Sequence, residues 1–354
     1  MHRILKSFGC ATLLLLFVSA MLKAEPNSAL PISGAAGVST DLYWITFSGD
    51  CSCDHIFLMQ IDADGNTVIA PKPVLSLADV SGNTSALSKN GTQKLNLFHW
   101  NKKAKLTRTV IDKATLKVIG KKTTTITTKD GEFLQATQRD QDNFVIGERV
   151  TGPLAAYKLS ATAVPKAPGS DLDSNIPMTN DEASISSDGL MLITNRSDLD
   201  INTPDKLYAQ VLDAQGVPQG TPKLLASFQD IEASDVTDVL ESGLRFVVYV
   251  VDSGTIPDDR LYLQKINSSG AKVGGKKLIN TPPNREEDAQ TVAIDPLGRF
   301  VVFTIQGDDF GCFGQDILVY QKLSSTGEKS GPLKVLANCS LVVDDMKNLD
   351  ILKE

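Results

Sequence analysis

From about residue 40 onward, apolar and polar positions alternate in short runs separated by turns of Asp, Asn, Ser and Gly. A period of two predicts half-buried strands joined by hairpins, and no segment carries the period of an amphipathic helix convincingly. The runs repeat. Residues 207–220 (LYAQVLDAQGVPQG), 261–274 (LYLQKINSSGAKVG) and 318–331 (LVYQKLSSTGEKSG) align without gaps, with Gln210, Gln264 and Gln321 spaced by 54 and 57 positions. Each glutamine is followed six residues later by a turn glycine, Gly216, Gly270 and Gly327. Residues 57–74 are an earlier copy, one residue shorter before Gly65; residues 105–119 keep the pattern without the glycine, and residues 154–165 keep least of it.

Ahead of each clear copy stands a turn followed by a β-branched or aromatic run: SSDGLMLITN from Ser186, ESGLRFVVYVV from Glu241 and DPLGRFVVFTI from Asp295. Before that turn comes one more short strand, as at 183–186 and 291–294. The unit therefore holds four antiparallel strands in about 50–57 residues, the sequence form of a propeller blade. A length of 354 residues, less a leader, divides into six such units. The expected fold is all-β, a six-bladed β-propeller. Its closure can also be read: residues 42–50 resemble a second strand with no first strand before them, while residues 345–352 supply one strand too many at the far end. The surplus strand is expected to pair beside residues 42–47 as the missing inner strand, removing open sheet edges. Two stacked β-sandwiches are the competing architecture, disfavoured because the period runs on without a linker. Residues 163–177, rich in Pro, Gly and Asp, are read as a long outer strand and loop of the third blade.

Composition adds compartment. Residues 1–24 combine a basic start (His2, Arg3, Lys6), an apolar run and small residues at possible cleavage points, the pattern of a secretory signal peptide. The apolar run is shorter than the ~20 residues that span a bilayer, so no membrane span is expected once the leader is gone. This divides the chain into a signal peptide (1–24), an N-terminal segment (25–39) and one propeller domain (40–354). Removing residues 1–24 leaves 32 basic against 42 acidic side chains, a net charge of about −10 that argues against nucleic acid as partner. The expected product is a secreted or periplasmic monomer whose ligand is an unidentified protein or small molecule.

The Leu-Tyr-x-Gln motif, its Asp or Ser turn with Gly, and the Gly-x-x-Leu that follows resemble the repeats of secreted bacterial β-propellers, broadly the TolB-like six-bladed group. The resemblance covers residues 40–352 and implies a fold, not an activity. Ser187-Asp188-Gly189 lacks the downstream Thr-Trp of a sialidase Asp box, and no WD dipeptide is present.

In a propeller, connections between second and third strands share one face with the connections between blades. The second-to-third segments and their flanks are acidic here: Asp50 and Asp54; Asp198, Asp200 and Asp205; Asp252, Asp258 and Asp259; Asp308, Asp309 and Asp316. His55 adjoins this set, His99 and Trp100 end the equivalent strand of the second blade, and Arg285 and Glu287 precede the sixth. Asp54, His55, His99, Trp100, Arg285 and Glu287 are accordingly the candidate ligand-binding residues. No pair of carboxylates is singled out by spacing as catalytic, and no cofactor is expected. Calcium is expected only in the weak extracellular range, ~10⁻⁴ to 10⁻³ M, because the acids follow no ordered ligand pattern. A binding or interaction module is the leading function; an extracellular hydrolase or lyase with its site in the central depression is the alternative, and a structural envelope protein is a third. Export makes disulfides the default for Cys51, Cys53, Cys312 and Cys339. If the ring closes, all four gather where the last blade meets the first. Cys312 and Cys339 are each expected to pair with one of Cys51 and Cys53, and a Cys312–Cys339 bond is the rival.

Overall fold

Strands flanked by a sheet on either side must be apolar on both faces, whereas an outermost strand borders solvent; this contrast organises the whole molecule. The third strand of the first blade, His55–Asp62, is buried at seven consecutive positions, while the outer strand beside it, Thr67–Ser76, is largely exposed. The structure is a computed structural model. It describes residues 41–50, 55–76, 79–127, 134–139, 142–149, 152–160, 162–166, 170–171, 179–197, 203–252, 260–279, 291–307, 312–337 and 345–354.

The described residues form six four-stranded antiparallel sheets, the blades of a β-propeller. Blade one contains β1 (Leu42–Asp50), β2 (His55–Asp62) and β3 (Thr67–Ser76). Blade two is β4 (Val80–Asn90), β5 (Lys94–Asn101), β6 (Lys105–Asp112) and β7 (Val118–Thr127); blade three is β8 (Leu134–Arg139), β9 (Asp142–Arg149), β10 (Gly152–Leu159) and β11 (Ser170–Asp171). Blade four is β12 (Thr179–Ile185), β13 (Met191–Ser197), β14 (Asp205–Leu212) and β15 (Pro218–Phe228); blade five is β16 (Asp230–Val236), β17 (Arg245–Asp252), β18 (Arg260–Ile266) and β19 (Lys272–Leu278). Blade six is β20 (Val292–Ile294), β21 (Phe300–Gly307), β22 (Cys312–Lys322) and β23 (Lys334–Ala337), and the chain ends in β24 (Asp345–Lys353). β24 lies in blade one, antiparallel to β1 with Tyr43 opposite Lys353 and Thr46 opposite Asp350, so the order there is β24-β1-β2-β3. The ring closes as the unpaired first unit and the surplus C-terminal strand foretold. Among the described residues the outer strand of blade three is β11, of two residues, with a Leu159–Pro165 bridge beside it; most of the segment 163–177 expected there lies outside the described residues.

The core is divided among the seams between blades. Tyr43, Phe47, Phe300 and Tyr320 pack with Met346 and Ile351 between blades six and one, and comparable clusters lie in the other five seams. Trp44 lies in the core of the seam between blades one and two.

The repeat has a physical reason at each of its fixed positions. The first residue of every third-to-fourth turn, Asp62, Asp112, Ser160, Asp213, Asn267 or Ser324, accepts a main-chain N–H from within its own turn. The turn then needs a left-handed residue. Gly65, Gly216, Gly270 and Gly327 supply it with φ of 75°, 80°, 79° and 73°, and blades two and three manage with Leu116 and Ala163 at 54° and 58°. The buried glutamines sit where the ladder between third and outer strand slips register; there Gln210, Gln264 and Gln321 donate to carbonyls on both sides of the slip.

Candidate functional site

The two ends of the ring differ in how their polar residues are used. At the end carrying the first-to-second and third-to-fourth turns, side chains close turns and cross seams. Asp188 takes a two-pronged hydrogen bond from Arg245 (3.2 and 2.8 Å), and Asp238 accepts from the Ser187 hydroxyl and the Asp188 N–H, both at 2.6 Å. Desolvation raises the Asp188 carboxyl, but Arg245 and Ser186 outweigh it and hold it below its ordinary value. Asp295, fully buried, receives Arg299 Nε at 2.9 Å, while Arg299 Nη1 reaches Asp41 across the closing seam at 2.6 Å. Burial lifts Asp295 to about 6.

At the opposite end, β2, β14 and β18 begin beside the ends of β1, β13 and β17. His55 opens β2, partly exposed, with its ring 6.2 Å from that of Phe57. His99 is 2% exposed; its Nε2 lies 3.0 Å from Thr109 Oγ1, and desolvation pushes it down to about 4, so it is a neutral spacer between strands. Trp100 is fully buried among Phe98, Leu106 and the apolar face of blade three, and so offers no face on which a ligand could stack. The structure therefore places His55 at the surface and its two companions inside. Asp54, Arg285 and Glu287 lie outside the described residues, as do Cys51, Cys53 and Cys339. Cys312 opens β22 opposite Gly307. Two aspartates of the acidic set turn out to be seam ties: Asp205 accepts the Ile231 N–H at 3.0 Å, and Asp316 accepts the Met346 N–H at 2.8 Å. Each joins a third strand to the inner strand of the next blade.

The inner strands add two groups that periodicity could not orient. Asp235 on β16 accepts the Ile294 N–H of blade six at 2.8 Å, and Asp350 on β24 accepts the Leu87 N–H of blade two at 2.7 Å. Burial pushes Asp235 up to about 8, with the charge of Asp350 adding to it, and pushes Asp350 up to about 6. Their position was the available signal: an acid in the last few residues of an inner strand, one before its end for Asp235 and three before it for Asp350. Both are bound to main-chain donors, which fits struts between blades better than a pair converging on a substrate. Among the described residues no group of three or more His, Cys, Asp or Glu is placed to hold a metal, and no helix is long and apolar enough to cross a membrane.

No protein-family model matches the chain, and no curated protein matches it. Solved structures do. One chain of a nidogen/laminin complex superposes with a TM-score of 0.55 at 9% identity, over 87% of this chain and 98% of that one. AofleA from Arthrobotrys oligospora gives 0.52 at 10% identity over 89% of each chain. TolB from Acinetobacter baumannii gives 0.51 at 15% identity, over 87% of this chain and 66% of its own. At such identities the likeness is one of fold, and at that level the TolB match agrees with the resemblance in the repeats.

Proposed function

We propose that the chain is an exported binding module that presents the face where second strands hand over to third strands. The observation supporting this reading is the inequality of the two ends. Polar groups at the turn face are engaged in Asx turns and seam ties, whereas the six second-to-third segments carry seven acids against two lysines in sequence. A net negative face favours a partner of positive charge and speeds its encounter. One structural neighbour comes from a protein–protein complex, which suits a propeller used as a docking surface. Export rests on the leader-like residues 1–24.

The test uses a lysine-rich peptide as a defined probe, titrated calorimetrically at low and at physiological salt. Binding that weakens with salt is expected, as is its loss in Asp258→Lys with Asp259→Lys, in the segment joining β17 to β18. Asp213→Lys, in a turn on the opposite face, should leave it intact. Equal losses in both variants, no binding at low salt, or cleavage of the peptide would each overturn the reading, the last in favour of a hydrolase.

A further inference from the structure

We propose that ordered water is bound in the inner part of the seam between blades four and five, held by Ser184, Ser234 and Asn195. Three side-chain oxygens point to it. Ser184 Oγ, Ser234 Oγ and Asn195 Oδ1 are buried, with residue exposures of 1%, 9% and 0%, and none has a hydrogen-bond partner among the described residues. Buried polar groups in folded proteins are almost always paired with protein or with ordered water, and buried waters typically bridge such otherwise unsatisfied groups.

Strand alternation puts all three on one seam. Ala183 and Ile185 pack against blade three, so Ser184 between them faces blade five, beside its ladder partner Ile193. Ser234 pairs with Tyr249, and Ile193 and Tyr249 belong to the same cluster between blades four and five. Asn195 lies two residues beyond Ile193 on the same face, and its amide donates to the Ile231 carbonyl of blade five. That bond fixes the amide nitrogen on Ile231, and Oδ1 is left buried without a partner among the described residues.

The neighbouring blade explains why this seam differs. Ser184 pairs with β13 one position before the strand end, the place that Asp235 holds in blade five. Asp235 reaches across to the Ile294 N–H of blade six. Ser184 is shorter, and the corresponding donor, the Val236 N–H, is already taken by Asp235 Oδ1 at 2.7 Å. Other seams close by direct contact, Thr46 with Ser85 at 3.3 Å and Ser88 with Asn143 at 2.6 Å. Water suits the remaining groups because the two hydroxyls can donate or accept and the amide oxygen accepts. Three neutral oxygens are too few for calcium, which takes six to eight oxygen ligands.

A high-resolution crystal structure of the purified protein tests this directly. A water within ~2.7–3.2 Å of at least two of the three atoms is expected. Ser184→Ala combined with Ser234→Ala should lose it; if that variant does not fold, the wild-type density decides alone. A dry seam with both hydroxyls turned onto main-chain carbonyls would overturn the proposal. So would density whose oxygen contacts fall at ~2.3–2.6 Å, which would mark a cation instead.

Discussion

The seam that closes the ring and the seam between blades four and five use the same turn contact but differ in what surrounds it. At the closure Gly65 sits on the ring of Tyr320, whose hydroxyl donates to the Ala63 carbonyl at 2.8 Å, and Phe300 meets Tyr43 edge to face and Tyr320 at a tilt, with centroids 4.9 and 5.0 Å apart. The ion pairs that cross this seam are partly open to solvent, Lys322–Asp64 at 2.7 Å with both side chains 47% exposed and Arg299–Asp41 at 2.6 Å, although Arg299 also holds the buried Asp295. In the four–five seam Gly270 sits on Ala209, and the buried Arg245 depends on Asp188. A buried ion pair recovers its desolvation cost only with good geometry, so it is weak evidence for stability. The seam beside blade one, where β24 and β1 pair the two ends of the chain, is the one built on a cluster of aromatic rings. The four–five seam carries the more deeply buried cross-seam ion pair, Arg245 with Asp188.

Removing residues from Asp345 onward should have the largest effect. It takes Met346, Leu349 and Ile351 from the closing cluster and the Asp350 carboxylate from Leu87, and it bares the edge of β1. Three large apolar side chains at ~1.5–3 kcal/mol each amount to much of a domain's ~5–15 kcal/mol. Scanning calorimetry should find no cooperative transition or a far lower one; a truncated protein melting like the full chain would break the comparison. Next comes Asp188→Ala, which strands the Arg245 guanidinium, whose side chain is 3% exposed. Losing one member of a buried pair costs ~3–5 kcal/mol, and because Asp188 is 26% exposed the low end is expected. Denaturant titration of both variants checks the contrast, since Lys322→Ala at the closure should cost under ~1 kcal/mol.

What the sequence revealed follows from where the repeat is strict. Gln210, Gln264 and Gln321 mark ladder slips, and the turn glycines mark left-handed positions; such backbone demands recur in every blade and so appear as a period. Ring closure was legible because strand count is a property of order alone. The candidate site was less so. His99 and Trp100 ended a strand and suggested a rim, yet His99 is buried against Thr109 of its own blade and blade three covers Trp100, and what covers a residue is a tertiary matter. Asp205 and Asp316 looked like loop acids, but they cap N–H groups of inner strands that lie 26 and 30 residues further along the chain. Asp235 and Asp350 were missed because two aspartates 115 positions apart share no period, only a place in the blade.

The turn glycines sharpen the contrast between seams. A Cβ on Gly65 would lie 2.7 Å from the Tyr320 ring, one on Gly270 would lie 3.2 Å from Ala209 Cβ, and one on Gly331 would meet nothing within 4 Å, although all three have positive φ. The backbone penalty of ~1–2 kcal/mol is shared. Overpacking adds ~1–3 kcal/mol only where the neighbour cannot yield. Chemical denaturation should therefore rank the losses Gly65→Ala, Gly270→Ala, Gly331→Ala, and an equal loss at all three would mean that the closing seam gives way as easily as open solvent.

The smallest expected effect is a slope. Asp235 titrates near 8 in the folded protein against an ordinary 3.8, raised by burial despite the Ile294 and Val236 N–H groups it accepts, with Asp350 and Asp238 adding like charge. A raised carboxyl means that the folded state holds its proton longer than the unfolded chain does. The contribution to stability is then complete below about pH 4 and is lost as pH rises through the folded value. Asp350 and Asp295, near 6, complete their share of that loss earlier. His99 acts oppositely: pushed down to about 4 from 6.5, it lowers stability as pH falls through that interval. From about pH 6.5 to 8 the Asp235 titration remains, so the melting temperature should decline across this range. Asp235→Asn, which carries no charge to desolvate, should flatten the decline even if its midpoint is lower throughout, because its amide places a donor against one of the two N–H groups. Parallel curves for the two proteins over that range would show that Asp235 is already ionised in the folded state, and that its main-chain hydrogen bonds prevail over burial.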